Sequence, residues 1–379
     1  APTKALSADQ LAALNRLTAA LPEPVRVAPA DGDTESEVKR WARAHADIVL
    51  SNPDYVHHVL LAQHQKWTRF LRSLRYVVVD ELHYWRGIAG SHVALILRRL
   101  LRLARSLGAD PQVILLSATV RDPAALGEAM VGSPNVAAVT KDGSGSAEKH
   151  LVFWRGALSP AEKTKVEPAA DETPYPIPTL RVSPWTEAAN LAAAFIEKDA
   201  QLLTFVRSRY GAETVAAQTQ DRLLRRGSAR AGRVSAYRGG YLPEERRELE
   251  RALREGELQA VATTNALELG IDISGLDATI TCEWPGSRAS LMQQAGRAGR
   301  AGRSGVSVFI AGENPLDNYL IHHPQEALAE VEANVLDVSN PYVLSSHLLA
   351  AAAESPLQEG DLELFGMPGP GLLDALTRQ

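Results

Sequence analysis

Apolar residues in this chain fall into short continuous runs separated by longer segments of helical spacing. The runs at 46–53, 76–79, 112–119, 151–154, 202–208, 234–240, 259–264, 278–282 and 306–310 read as strands that end in polar loops. The Val-rich run at 76–79 and the core of the second run, Val113 to Leu116, are apolar without a break, which predicts strands buried on both faces of a parallel sheet. Between the runs, Leu11, Leu14, Leu17 and Leu21 recur at helical spacing behind Ser7, a predicted N-cap. Val38, Trp41 and Ala42 mark a second helix. A third runs from Gly90 and Ser91 to about Leu107 and stops at Gly108, and a charged one covers 243–257. Leu344, Leu348 and Leu349 mark another near the end. Strands alternating with helices predict an α/β protein with mostly parallel sheets flanked by helices.

The polar, Gly- and Ser-rich stretch at 141–147 interrupts the pattern and predicts a linker. It divides a first domain at 1–140 from a second at 148–330, and 331–379 reads as the start of a C-terminal extension. The Pro-rich segment from Pro168 to Pro184 reads as an inserted loop.

Composition adds limits rather than chemistry. Of the 379 residues, 45% are hydrophobic and 22% charged, as in ordinary globular proteins. A net charge of −5 gives no overall basic field, so any nucleic-acid contact must come from local patches. Arg98, Arg99, Arg102 and Arg105 spread around their helix and read as solvated. A lone cysteine, Cys282, forbids an internal disulfide; it fits a cytoplasmic compartment and reads as a small core residue. No run is long and apolar enough for a membrane helix. The chain opens on Ala1 without Met, and the expectation is a fragment.

The candidate chemistry sits where strands end. Asp80 and Glu81 follow the run at 76–79, and paired carboxylates at a strand's carboxyl edge are expensive unless a cation or a reaction uses them. Asp80 suits Mg²⁺, which takes one or two carboxylates together with phosphate oxygens, and Glu81 suits a general base for water. Ser117 and Thr119 end the neighbouring run. Thr3 and Lys4 precede a helix; Ser51 and Asn52 end another strand, as do Arg207, Ser208 and Thr264. All of these could meet phosphates, although Ser and Asn before Pro are also turn formers. Gln293-Gln294-Ala295-Gly296-Arg297-Ala298-Gly299-Arg300 brings two arginines between glycines that admit a close backbone approach.

In this order the pieces resemble a superfamily 2 DExH-box helicase over nearly the whole chain. Pro2-Thr3-Lys4 resembles motif Ia, Ser51-Asn52-Pro53 motif Ib, Asp80-Glu81-Leu82-His83 the DExH box and Ser117-Ala118-Thr119 motif III. Phe205 to Ser208 is similar to motif IV, Thr263 through Asp272 to motif V, and Gln293 to Arg300 to motif VI. Arg86-Gly87, Gly90 to Val93 and Tyr237 to Tyr241 resemble the SftH/MrfA-like branch of 3′-to-5′ DNA helicases linked to repair. Asn340 to Leu344 resembles the opening of that branch's C-terminal cysteine module. The resemblance implies two RecA-like domains facing each other across a cleft, with the first domain incomplete. It implies ATP and Mg²⁺ as cofactors and single-stranded DNA as partner, gripped by Thr3, Lys4, Ser51, Asn52, Arg207, Ser208 and Thr264. It gives Arg297 and Arg300 the role of arginine fingers and makes Gln293 a nucleotide sensor. Gly270 and Asp272 would meet the ribose, and Ser117, Thr119 and His83 would couple phosphate state to motion.

A Walker A loop, G-x-x-x-x-G-K-[ST], occurs nowhere in the 379 residues. The expectation is therefore a motor whose isolated piece hydrolyses little ATP. A monomer is expected, with self-association through an open sheet edge as the alternative. The rival classes are a non-catalytic nucleic-acid binding module and a small-molecule kinase.

Overall fold

The computed structural model describes residues 4–118, 120–141, 143, 148–158, 181–268, 276–299, 304–367 and 371. The helices of eight or more residues and the strands of four or more are numbered below in chain order. Residues 1–142 together with 332–379 form one compact unit, and residues 143–331 form the other.

The first unit carries two separate parallel pairs. β1 (Val27–Ala30) lies beside β2 (Ile48–Ser51), and β3 (Tyr76–Val79) beside β4 (Gln112–Leu115). Its helices are α1 (Lys4–Thr18), α2 (Ser36–His45), α3 (Gly87–Ser106), α4 (Pro123–Val131) and α10 (Pro341–Glu354). Ser7, expected to cap α1, lies inside that helix and is buried.

α3 is the hub of this unit. Ile96 and Leu103 join the core under β1 and β2, while Val93, Ala94, Leu97 and Leu101 join the core under β3 and β4. Leu95 meets Val343, Leu344, Leu348 and Phe365 from the returning C-terminal segment. A helix packed against several elements along its middle has no wet face there. The expectation of solvated arginines is thus overturned for Arg98, Arg99 and Arg102, which are 3%, 2% and 8% exposed. Each finds polar partners from chain elsewhere. Arg98 donates to the carbonyls of Ala129 and Leu364, and Arg99 pairs with Glu354. Arg102 pairs with Asp361 at 2.8 Å and donates to the carbonyls of Ala351, Ser355 and Pro356. Only Arg105 of the four stays largely outside, beside Asp110.

β3 and β4 also depart from expectation, since only one face of the pair is covered. Val77, Val79, Val113 and Leu115 pack on the α3 and α4 core. Tyr76, Val78, Ile114 and Leu116 point the other way and are 56%, 54%, 38% and 47% exposed. An apolar run specifies a strand, but the number of its faces that become buried is set by neighbouring layers.

The second unit is a six-stranded parallel sheet in the order β5-β10-β9-β6-β8-β7. The strands are β5 (Lys149–Arg155), β6 (Leu202–Phe205), β7 (Val234–Tyr237), β8 (Ala260–Thr263), β9 (Ala278–Cys282) and β10 (Gly305–Ala311). Its helices are α5 (Pro184–Glu197), α6 (Arg209–Arg225), α7 (Pro243–Arg254), α8 (Arg288–Gly296) and α9 (Pro315–His322). Every residue of β6, β8 and β9 is buried, as a doubly covered parallel sheet requires. Ala188, Ala189, Ala192 and Ala193 of α5 bring that helix close over the sheet. Strand order reverses at β6, between β8 and β9, the position where open α/β sheets leave a crevice at their carboxyl ends. The Pro-rich stretch up to residue 180 and most of the expected linker lie outside the described residues.

Candidate active site and nucleic-acid contacts

The DExH turn is built by the parallel pairing of β3 and β4. Leu116 N–H donates to Val79 O and Leu82 N–H donates to Leu116 O, both at 2.8 Å, so the two strand ends leave the sheet side by side. Asp80 turns its Oδ1 back to accept from Glu81 N–H at 2.9 Å. Glu81 then takes a left-handed backbone, φ 55 and ψ 50, which a non-glycine residue adopts only under local constraint. A single tight helical turn, Leu82–Tyr84, follows and swings His83 back beneath Glu81.

His83 is 9% exposed and stands between two groups. Its Nε2 lies 3.3 Å from Glu81 Oε2, and its Nδ1 lies 3.1 Å from Ser117 Oγ. Burial pushes the imidazole below its usual range; Asp80 opposes this and Arg86 adds to it. A neutral ring facing a carboxylate at Nε2 must carry its proton there. Nδ1 is then the acceptor, and Ser117 O–H donates to it. The acidic turn and the strand-end hydroxyl, placed side by side by the sequence, meet at His83, which is hydrogen-bonded to Ser117 and lies within ion-pair distance of Glu81.

The other first-unit candidates make local bonds. Ser51 Oγ donates to Ala30 O at 2.7 Å, and Asn52 Oδ1 accepts from Tyr55 N–H at 2.8 Å, capping the turn Pro53–Tyr55. Both nonetheless sit at the carboxyl end of β2, and Lys4 begins α1.

In the second unit, a cavity of about 170 Å³ opens at the reversal point of the sheet. Arg207, Thr264, Asn265, Glu283 and Gln294 line it. Arg207 and Thr264, predicted as phosphate contacts from separate strands, therefore share one wall. Ser208 lies beside them as the cap of α6, accepting from Gly211 N–H at 2.9 Å. Glu283 also has a left-handed backbone, φ 64. Burial and the neighbouring Asp317 push its carboxyl above the usual range, and Arg207 pulls it back.

Arg297 follows α8, and its Nη2 donates to Glu268 O at 2.7 Å. Glu268 was missed by sequence reasoning. It is 6% exposed and joins Gln294, which is 3% exposed, and Ser290 in one network. Ser290 Oγ donates to its Oε1 at 2.6 Å and Gln294 Nε2 to its Oε2 at 2.9 Å, while Gln294 Oε1 accepts from Thr281 at 2.9 Å. The signal was an acidic residue in the apolar stretch after β8. Gln293, the glutamine singled out from sequence, is only half-buried at the adjacent position. Gly299 has φ 100 and suits glycine, and Gly296 faces open space. Cys282 is a buried core residue, its thiol pushed up by burial. Thr3, Thr119, Gly270, Asp272 and Arg300 lie outside the described residues.

With this geometry in hand, comparison with known proteins gives consistent matches. Residues 1–126 match the DEAD/DEAH box helicase family, and residues 187–302 match the helicase conserved C-terminal domain. Over 379 residues the chain is 37% identical to the ATP-dependent helicase YprA of Bacillus subtilis, covering all of this chain and 48% of that protein. Over 376 residues it is 36% identical to the ATP-dependent helicase HRQ1 of Saccharomyces cerevisiae, covering 96% of this chain and 33% of that one. The crystal structure of the DUF1998 helicase MrfA bound to DNA and AMPPNP superposes with a TM-score of 0.89 at 36% identity, over all of this chain and 50% of that one. The helicase Lhr of Mycobacterium smegmatis, bound to single-stranded DNA and AMP-PNP, superposes with a TM-score of 0.74 at 26% identity, over 96% of this chain and 46% of that one. The chain spans no more than about half the length of these relatives.

Proposed function

The chain belongs to the superfamily 2 helicases, in the branch that holds MrfA, and on that premise we propose that it is the motor core of an ATP-dependent helicase moving 3′ to 5′ on single-stranded DNA. The observation that carries the reading is the line Ser117–His83–Glu81 at the ends of two adjacent parallel strands.

In this reading Glu81 takes the proton of the attacking water, and His83 holds its carboxylate through the Nε2 proton. Asp80 fits Mg²⁺, with one strand-end carboxylate already oriented by a backbone N–H. Among the described residues no three His, Cys, Asp or Glu side chains gather as a metal cage, which suits a cation held by one carboxylate plus phosphate and water. When bound, Mg²⁺ neutralises charge on the phosphates. Gln293, Arg297 and Arg300 are assigned to the nucleotide phosphates, and Gly270, Asp272, Ser117 and Thr119 to nucleotide contacts and coupling. Thr3, Lys4, Ser51, Asn52, Arg207, Ser208 and Thr264 are assigned to the DNA backbone, a mode with little sequence preference and strong salt dependence. The 379 residues contain no Walker A loop, and the reading assigns them little ATPase by themselves.

The test compares this chain with a longer one that includes a Walker A loop. Phosphate release is measured with and without single-stranded DNA, and strand separation on 3′- and 5′-overhang duplexes. The reading requires DNA-stimulated turnover only in the longer chain and unwinding only from the 3′ overhang. DNA binding without turnover in either would favour a vestigial binding module instead.

A further inference from the structure

Where the chain leaves the second unit at Val331, it does not go directly to α10. Residues 332–338 run without regular secondary structure along the DExH turn and the start of α3. Their order comes from a set of specific contacts. Asn334 Nδ2 donates to His83 O at 3.2 Å. Gly87 N–H donates to Val335 O at 2.8 Å, and Asp337 N–H donates to Ser91 Oγ at 3.0 Å. Leu336 occupies the space over Gly90, where any Cβ would collide with it and with the backbone of Trp85. Leu336 also packs against the core of β3, β4, α3 and α4.

The turn that carries Glu81 and His83 is therefore held from two sides. Leu116 and Ser117, directly after β4, hold it on one side, and residues 332–338 hold it through the His83 carbonyl and the Gly87 amide. We propose that residues 332–338 are a strap and that Asn334 is a positioning residue, fixing the His83 backbone so that its imidazole stays between Glu81 and Ser117. The inference rests on the helicase reading above for its catalytic consequence. The strap begins directly after Val331, one of the two places where the chain passes between the units.

A full-length protein is compared with its N334A and N334D variants. N334D keeps the shape of the side chain but cannot donate to a carbonyl. DNA-stimulated ATPase is measured against ATP concentration, and hydrogen exchange of residues 82–91 without nucleotide. The expected result in both variants is a kcat lowered about tenfold or more, since small misplacements of catalytic groups are expensive. KM for ATP stays within about twofold, and exchange at residues 82–87 becomes faster. A kcat within about twofold of the parent in both variants overturns the proposal, because the strap would then be structural only. Unchanged exchange overturns it as well, because Asn334 would not be acting through the turn. A parent protein without DNA-stimulated turnover refutes the helicase reading instead, and hydrogen exchange alone then decides whether the strap holds the turn.

Discussion

The Nδ1 atom of His347 on α10 lies 3.1 Å from Nη1 of Arg99 on α3. The same Nη1 donates to His57 Nδ1 at 2.8 Å, and His347 Nε2 lies 2.9 Å from His92 Nδ1. A guanidinium only donates, so His57 and His347 both accept at Nδ1. His347 then carries its proton on Nε2 and gives it to His92. The returning C-terminal segment is docked through imidazoles that have to stay neutral, around an arginine whose charge is matched by Glu354.

This arrangement predicts an acid-sensitive first unit. Burial, Arg99, His57 and His92 together hold His347 down to about 3, from an ordinary value of 6.5. Burial, Arg99, His58 and His92 lower His57 too, against Asp54. The unfolded chain thus takes up protons that the folded unit refuses. The contribution is intact above pH 6.5 and is lost as pH falls toward 3. Each refused proton gives a slope of at most about 1.4 kcal/mol per pH unit. Urea unfolding between pH 8 and pH 5 should show this loss, and His347→Asn should flatten it. A pH-independent parent would contradict the tautomers assigned above.

Arg102 is the second test of the docked segment. Its guanidinium meets Asp361 and three carbonyls while 8% exposed. Arg102→Ala removes the cation beside the Asp361 carboxylate and the donors to these carbonyls, and should cost about 3–5 kcal/mol. Arg102→Lys should rescue little, since an ammonium cannot reproduce the planar fork. Limited proteolysis is the direct readout, with new cleavage after residue 331 in both variants and none in the parent.

Glu81→Gln tests the general base in the longer protein. DNA-stimulated phosphate release should fall about 10²–10⁴-fold. Equilibrium binding of ATP and of single-stranded DNA should persist, because the amide keeps the size and much of the hydrogen bonding of the carboxylate. Retained turnover would show that water is activated elsewhere.

The network around Glu268 yields a fourth prediction. Glu268→Ala strands the buried Gln294 amide and the Ser290 hydroxyl, at about 1–3 kcal/mol. It keeps the backbone carbonyl that Arg297 uses. The second unit's urea midpoint should drop while its circular dichroism spectrum at low urea is unchanged. A midpoint equal to the parent's would mean that water satisfies the vacated partners.

Among the described residues the sequence by itself determined nine of the ten strands, all but β1 with its Pro29, together with their parallel direction and the ends that bear Asp80, Glu81, Ser117, Arg207 and Thr264. These follow from local periodicity, because a short apolar run bounded by polar residues has few alternatives to a buried strand. Periodicity does not name a residue's partner. Arg99 and Glu354 are 255 positions apart, and Asn334 and His83 are 251 apart. Whether Arg98, Arg99 and Arg102 face water or a carboxylate depended on where the C-terminal segment returned, and that is fixed by chain closure and packing around α3. The exposed face of Val78 and Ile114 has the same origin, since the run defines the strand while a neighbouring layer decides whether it is covered. Tertiary structure alone selected Gln294 over Gln293 for the buried network, because one residue along α8 turns a side chain from the core toward the surface.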